Sequence, residues 1–522
     1  MRKLLGLLRG LAEGWYSRVA GWLTSGGLGS YSKRVAEGQT RDDRTVLFKG
    51  QDPEDVIGQW ASILYPSIAA YGRLEEVERE QEAKIGSFFP ILPLEQRRDG
   101  IMAYFGESVG EGPSQRAMDA VLASLSPRGV LQPLSLERAA ESLGGGTNSG
   151  MPRFRRPWQD EDGRVLEAEM ARDYVYHHLS SILFARSGPT GLDKDPRPRT
   201  VWGYPKSASI REMQIFRPAQ QTMLGAVPLS AWRTPEDVDQ AVFALMQEAD
   251  KQGDLLFSTD FSGYDSTLRR NWQERCWEIL SAFYQPREIA EILESVAHFF
   301  LTGPLWAGND WLFHGVHGVP SGSVFTNWID TVAHWLAQET IADILGTSRH
   351  PLSQIQGDDG LLVLPGVRDV SDIESAYAQL GFIANAEKQF VGQHDCLYLQ
   401  KYYLLSHGPV GMYPTMRALQ RVLFQERFYD PKIWGPDLVT LRIIMILENC
   451  KGHPLFAQFV RFVQSGDKYR LGAAWPGGID ALISSAAPRA KDLAGFVPSY
   501  NQERRLSGIR QFAVYQLIKE SE

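Results

Sequence analysis

Two aspartates stand side by side in Gln356-Gly357-Asp358-Asp359-Gly360, between the strand-like piece Leu352 to Ile355 and the apolar run Leu361 to Leu364. Apolar runs on either side of a glycine-containing break read as a β-hairpin whose tight turn carries both carboxylates. Adjacent carboxylates repel, and a turn selected for folding alone is served by Asn-Gly or a single Asp-Gly. The pair therefore suits a bound cation. Taken alone, the turn also reads as a solvated surface hairpin, so the neighbouring segments decide between the two.

Upstream, the apolar run Leu255-Leu256-Phe257 leads through Ser258 and Thr259 to Asp260, and Asp265 follows just before the helix-like stretch Ser266 to Phe283. That pattern is a strand delivering one carboxylate at its carboxyl end before the chain turns into a helix. An acid at such a turn is commonly a helix cap, but a cap does not call for a hairpin carrying two more acids. Between the two segments lies Gly318-Val319-Pro320-Ser321-Gly322-Ser323, running on to Asp330. Pro320 and Gly322 make a loop, a serine serves as N-cap, and Phe325, Ile329, Val332 and Leu336 recur at helical spacing, which buries one face. Ser321, Thr326, Asn327 and Asp330 combine hydroxyls, an amide and an acid, a set suited to reading a sugar hydroxyl.

In order, spacing and residue type these segments resemble the palm motifs of viral RNA-dependent RNA polymerases. The pattern D-x-x-x-x-D matches Asp260 and Asp265; S-G-x-x-x-T followed by Asn matches Ser321, Gly322, Thr326 and Asn327; G-D-D matches Gly357, Asp358 and Asp359. The wording is most similar to picobirnavirus and then partitivirus polymerases, which have double-stranded RNA genomes. The resemblance implies an α+β right-hand polymerase with an RRM-like antiparallel palm sheet and largely helical fingers and thumb. It also implies two-metal nucleotidyl transfer without a primer, using Mg²⁺ (with Mn²⁺ as a substitute) held at Asp260, Phe261, Asp358 and Asp359. Hard oxygen ligands suit that ion, and phosphoryl transfer needs chiefly alignment and charge neutralisation.

Asp265, set back from the metals, is expected to bind the nucleotide with Ser321, Gly322, Thr326, Asn327 and Asp330. Lesser elements of the resemblance assign Lys388 as proton donor to the pyrophosphate, and Lys401 to the hairpin that grips the nascent strand. They assign Thr147, Asn148, Ser149 and Gly150 to the loop guiding template, and Arg199, Lys206 and Arg211 to the triphosphate cradle. For Lys388 and Lys401 the plain alternative is a solvated surface lysine.

Net charge argues against a nucleic-acid enzyme: 54 Lys plus Arg against 62 Asp plus Glu give −8. The local distribution answers this. From Lys194 to Arg217 six basic residues (Lys194, Arg197, Arg199, Lys206, Arg211, Arg217) face two acids (Asp195, Glu212). Arg153, Arg155 and Arg156, interleaved with Phe154 and Trp158, form a second basic and aromatic patch suited to phosphates and unstacked bases, or else a solvated loop. A basic channel inside an acidic exterior binds RNA while limiting non-specific attraction.

At 522 residues and 43% hydrophobic the chain can bury several cores. Its three cysteines are too few and too scattered for a disulfide framework or a zinc site, which implies a reducing environment. The basic, apolar segment Met1 to Leu23 is interrupted by Glu13 and by glycines, so it reads as an amphipathic packing element rather than a leader or membrane span. The expected division is residues 1–60 as an extension bridging fingers and thumb, 61–254 and 285–317 as fingers, 255–284 and 318–405 as palm, and 406–522 as a helical thumb. Gly472 to Gly478, with Tyr469 and Trp475, reads either as a plain surface loop with a partly buried tryptophan or as a loop able to reach into the channel and stack an initiating nucleotide. Expected partners are template and nascent RNA, ribonucleoside triphosphates and a viral capsid protein, without membrane insertion, in the virion interior and the host cytoplasm. The rival readings are a reverse transcriptase-like polymerase and a capsid-associated RNA-binding protein with an inactive palm.

Overall fold

The computed structural model describes residues 2–24, 27–40, 44–143, 148–155, 162–230, 233–308, 311–384, 389–426, 434–490 and 506–522. At its centre is an antiparallel four-stranded sheet of order β6-β7-β3-β8, with β3 Leu256–Thr259, β6 Gln354–Gln356, β7 Asp359–Leu362 and β8 Phe390–Gly392. Successive side chains of a strand point to opposite faces, and here both faces are covered. Leu256, Leu361 and Val363 pack on Val242 and Leu245 of the helix Pro235–Gln252. Phe257, Leu362 and Leu364 pack on the opposite side, in one cluster with Ile329 of the helix Thr326–Ile344 and Tyr377 of Val370–Gln379.

A second sheet, of order β2-β1-β4-β5, joins β1 Ser181–Gly188, β2 Arg197–Gly203, β4 Leu305–Gly308 and β5 Trp311–Phe313. A separate hairpin pairs β9 Asp395–Tyr398 with β10 Lys401–Leu404. Its turn residues Leu399 and Gln400 both have positive φ, 47° and 65°, the backbone of a type I′ turn.

One element departs from its expected bounds. The helix expected over Ser266 to Phe283 is broken: Tyr264–Thr267 is a short helix, Leu268 is extended, and Arg270–Ser281 follows. The break frees Arg269 to donate to the carbonyls of Ala103, Tyr104 and Gly106. The first carboxyl-terminal helix is Thr415–Leu423, ending where Phe424 turns extended and bridges to Arg44. The helices Pro436–Glu448, Phe456–Ser465, Gly478–Ala490 and Ala513–Lys519 follow.

The amino-terminal helices divide between two cores. Leu4, Leu8, Val19 and Leu23 pack with Tyr176, Phe299 and Trp306, whereas Leu64, Ile68, Leu74 and Ile85 join Met416, Leu419, Leu441 and Phe459. The stretch from Leu64 to Ile85 thus shares the core of the carboxyl-terminal helices. Buried Glu78 fastens it there, accepting from the backbone N–H groups of Thr415 and Met416 at 2.7 and 2.9 Å.

The Gly472 to Gly478 segment lies at the surface with Trp475 half-buried. It is a compact turn between Arg470–Gly472 and the helix Gly478–Ala490, with Tyr469 and Trp475 in edge contact and Ile479 N donating to Glu522 Oε1 at 2.6 Å. No helix among the described residues is long and apolar enough to cross a membrane.

Candidate active site

The ladder between β3 and β7 pairs Thr259 with Gly360, and that between β6 and β7 pairs Gln356 with Asp359. The turn is thus Gly357-Asp358, with positive φ (62°) at Gly357 alone of its two residues. A positive φ at the first central position defines a type II′ turn and selects glycine there. Asp260, one residue past β3, follows the pair that sets Thr259 against Gly360, and so arrives beside Asp359 and the hairpin tip.

The carboxyl groups act on one another. Burial, then Asp358 and Asp260, push Asp359 up to about 8, with Arg417 opposing. Asp358 is raised by the surrounding protein and by Asp260, although the residue is exposed at the hairpin tip. Asp265 rises to about 6 through burial and Asp358. Asp330 lies well above the usual carboxylate range, through burial, Asp265 and Asp358, and its Oδ1 is buried with no hydrogen-bond partner. Like charges in low dielectric oppose ionisation, so a cation entering this cluster relieves its repulsion. Among the described residues no three His, Cys, Asp or Glu side chains converge closely enough to hold an ion by themselves. The acids therefore fit an ion whose coordination is completed by water or by a phosphate-bearing ligand, as hard divalent cations commonly are. Phe261 has its ring buried against Tyr264 and His334, which leaves its backbone as the only part able to meet a cation.

The second motif is a built loop. Gly318 lies so close to Asp265 that a Cβ there would be 2.2 Å from the Asp265 carbonyl oxygen, and Val319 N donates to that oxygen at 2.8 Å. A Cβ on Gly322 would be 2.0 Å from the Trp202 carbonyl oxygen, and Ser321 Oγ accepts from Trp202 N at 3.1 Å. Thr326 Oγ1 donates to the carbonyls of Pro320 and Ser323. Ser321, Gly322 and Thr326, expected to meet the nucleotide directly, thus make these contacts within the loop and with β2. Asn327 is exposed, with Nδ2 3.8 Å from where a Gly357 Cβ would stand, and Asp330 lies one turn further along the same helix. The structure brings Asp265, Asn327, Asp330 and Asp358 to one place.

Opposite the acids stands a basic face. β1 and β2 pair Arg186 with Arg199 and Gly188 with Arg197, which puts Arg186, Arg197 and Arg199 on one side of the ribbon. Burial, then Arg186, Arg197 and Arg417, lower the Arg199 pKa, and Arg199 in turn favours ionised Asp358 and Asp265. Arg186 and Arg417 carry no signal in sequence, because strand register and a helix more than two hundred residues downstream bring them to Arg199.

Two expectations are overturned. Arg211 is buried, donating to Gln214 Oε1 at 3.0 Å and to the Tyr174 hydroxyl, with Glu291 at 3.4 Å, so it braces a helix and does not face a triphosphate. Lys401 Nζ donates to both carboxylate oxygens of Asp239, at 2.8 and 3.0 Å, and its side chain is 16% exposed. Its charge is matched inside the protein and is not offered to a nascent strand. Lys206 starts the helix Lys206–Met223 beside buried Glu167, and burial lowers its pKa. Asn148, Ser149 and Gly150 form a tight loop: Asn148 Oδ1 accepts from Gly150 N, Ser149 O accepts from Lys206 N, and a Gly150 Cβ would be 2.7 Å from the Tyr204 carbonyl oxygen. Arg155 is exposed beside this loop, and Arg153 lies over the Trp22 ring. Thr147, Arg156, Trp158 and Lys388 lie outside the described residues.

A right-hand fold with paired acids at a hairpin tip, a strand-end acid and an opposing arginine face defines a nucleotide polymerase. The chain belongs to the viral RNA-dependent RNA polymerase family, whose model matches residues 188–464, and it is an RNA-directed RNA polymerase. Members of this family generally use divalent metal ions. The chain is 31% identical over 520 residues to the potential RNA-dependent RNA polymerase of human picobirnavirus (strain Human/Thailand/Hy005102/-), spanning 94% of this chain and 96% of that protein. It is 27% identical over 173 residues to the RNA-directed RNA polymerase of Cryptosporidium parvum virus 1, 32% of each. Its structure superposes on the crystal structure of a human picobirnavirus RNA-dependent RNA polymerase with a TM-score of 0.84 and 28% identity, covering 96% of this chain and 98% of that one. An insertion-loop deletion mutant of that enzyme gives 0.82 and 29%, covering 96% and 97%.

Proposed function

We propose that this polymerase replicates and transcribes a double-stranded RNA genome by two-metal nucleotidyl transfer, beginning without a primer. The observation that carries the reading is the strand register that brings Asp260, one residue past β3, alongside the hairpin bearing Asp358 and Asp359, where each of the paired acids is pushed up by its neighbours. These three, with the Phe261 backbone, would hold Mg²⁺, or Mn²⁺ in its place. Two such ions, when bound, lower the pKa of the attacking 3′-hydroxyl and neutralise charge on the triphosphate.

The rest is the work of the chain itself. Arg199, with Arg186, Arg197 and Arg417 in its field, receives the triphosphate, where guanidinium offers paired donors to phosphate oxygens. Asp265 and Asn327 read the ribose 2′-hydroxyl, and Asp330, with one oxygen unpartnered, stands behind them to complete the hydrogen-bond set. Lys388 protonates the departing pyrophosphate. The loop of Asn148 to Gly150, with Arg153 and Arg155, leads template towards the acids. The enzyme works against a capsid protein inside the virion and in the host cytoplasm.

Labelled ribonucleotide incorporation on defined single- and double-stranded RNA, with no primer and with Mg²⁺ supplied, tests the reading. Full-length complementary product is expected from both templates. Synthesis only from an annealed oligonucleotide would remove primer independence, and preference for deoxyribonucleotides would favour a reverse transcriptase. Absence of product with every template and cation would favour an RNA-binding protein with an inactive palm.

A further inference from the structure

Beneath the acid-bearing hairpin runs a chain of buried polar side chains that none of the steps above uses. Arg349 donates from Nε to Gln338 Oε1 at 2.7 Å and from a terminal nitrogen to the carbonyl of Ser353 at 2.6 Å, immediately before β6. Arginine has donors only, so the Gln338 oxygen must face it, and the Gln338 amide nitrogen turns towards His334 Nε2, 3.4 Å away. The Thr259 hydroxyl, also 3.4 Å from Nε2, donates to the Gly360 carbonyl at 3.3 Å. Nε2 is therefore the acceptor, and the ring proton resides on Nδ1.

From there it is donated to the carbonyl oxygen of Gly357 at 3.0 Å, while Gly357 N donates to Thr331 Oγ1 at 2.8 Å. One helix thus holds both polar groups of the residue preceding the acid pair. His334 and Gln338 are fully buried, and a Cβ on Gly360 would be 2.5 Å from His334 Cε1 and 2.8 Å from Gln338 Nε2. The glycine after the paired acids is what lets this helix reach under the turn.

We propose that His334 is a positioning residue for RNA synthesis: its Nδ1–H, aimed by Gln338 and Arg349, fixes the Gly357 carbonyl and so holds Asp358 and Asp359 in reacting geometry. This rests on the reading of those acids as the metal-holding pair. Their mutual repulsion tends to turn the Gly357–Asp358 peptide, and a displacement near 1 Å at a reacting centre costs about 10²-fold in rate.

The test uses the full-length enzyme on a primed RNA template, titrating nucleotide and following thermal unfolding in parallel. Asparagine puts its amide nitrogen where Nδ1 stands; glutamine reaches only the Nε2 position; phenylalanine keeps the volume without a donor. His334→Phe is expected to lower kcat by at least about tenfold while KM for nucleotide changes less than about twofold, a loss specific to the reacting centre. His334→Asn should recover most of that kcat, and His334→Gln should not. Gln338→Glu keeps the shape and the Arg349 partner but draws the ring proton to Nε2, so it should lower kcat in the native background and add nothing to His334→Asn. Equal kcat in the Phe and Asn variants, a change confined to KM or to the unfolding temperature, or additive effects of the Gln338 and His334 substitutions would overturn the proposal. Asp358→Asn measured alongside separates the two readings: its activity bears on the metal-holding acids, and native kcat in His334→Phe bears on the positioning role alone.

Discussion

Glu212 accepts a hydrogen bond from the Ser323 hydroxyl at 2.8 Å across a separation of 111 residues, and it accepts a second from Val324 N at 3.0 Å. The helix Thr326–Ile344 has no side-chain cap from its own N-cap residue, Phe325, so a carboxylate from the helix Lys206–Met223 secures its entry loop. Glu212→Ala leaves two buried donors unpaired, at a cost of about 1–3 kcal/mol each in unfavourable cases. Reduced thermal stability together with a higher KM for nucleotide is expected, because the loop borders Asp265. Unchanged KM would mean that the loop holds its shape without this contact.

The same carboxylate carries a pH signature. Burial pushes Glu212 up to about 7 from an ordinary 4.5, with Ser323, Val324 and Tyr204 opposing. A folded-state pKa above the unfolded value means that the folded protein binds the proton more tightly. The resulting stability is fully present below about pH 4.5 and is lost as pH rises through about 7. The unfolding midpoint of the native enzyme should therefore decline across that window, and Glu212→Gln should flatten the decline. Parallel pH curves for the two proteins would contradict this assignment.

Asp260 and Asp358 converge at the hairpin tip, and each should be indispensable. Asp260→Asn or Asp358→Asn is expected to abolish nearly all incorporation, leaving the fold and RNA binding intact by circular dichroism and filter retention. Mg²⁺ with nucleotide should raise the unfolding temperature of the native chain but not of Asp358→Asn. Asp359, which burial sets back from the open space occupied by Asp358, should tolerate Asn with a milder loss. Turnover near native in either of the first two variants would refute the assignment.

Asp265 sits where Asp358, Asp330 and exposed Asn327 meet, a position suited to sensing a hydroxyl on the incoming sugar. Removing one member of a buried hydrogen-bonding set costs about 1–3 kcal/mol against the ligand that needs it. Asp265→Ala should accordingly incorporate deoxyribonucleotides better relative to ribonucleotides, measured as the ratio of kcat/KM. An unchanged ratio would leave Asp265 as a structural acid.

What the sequence disclosed and what it hid follow one physical line. Asp260 at a strand end and Asp358 and Asp359 at a turn were legible because period-two alternation and turn chemistry are local. The break at Leu268 was not, since Arg269 leaves the helical path for carbonyls of Ala103 to Gly106 that only the fold brings near. Basic residues misled for the same reason: Arg211 and Lys401 look like phosphate ligands in sequence, yet Glu291 with Tyr174 and Asp239, all distant along the chain, take up their donors. Glu212 and His334 read as ordinary helix residues, and their partners at Ser323 and Gly357 appear only through packing.

Arg417 gives the sharpest test of what was hidden. It lies in the helix Thr415–Leu423, where its guanidinium donates to the Tyr413 hydroxyl at 3.1 Å and to Gln81 Oε1 at 3.0 Å. Its charge also acts on Asp359 and on Arg199, so it spans the distance between the acids and the arginine face of β1 and β2. A triphosphate entering between them adds negative charge that Arg417 neutralises from the carboxyl-terminal side, a contribution the other arginines cannot replace from theirs. Arg417→Ala should raise KM for nucleotide by about tenfold, the equivalent of one interaction of about 1.4 kcal/mol, with a smaller change in kcat. Arg417→Lys should restore part of the loss, because a point charge returns without the paired donors. The effect should shrink as salt rises, since screening weakens partly exposed charges first. A KM unchanged in both variants at low salt would confine Arg417 to bracing Tyr413 and Gln81.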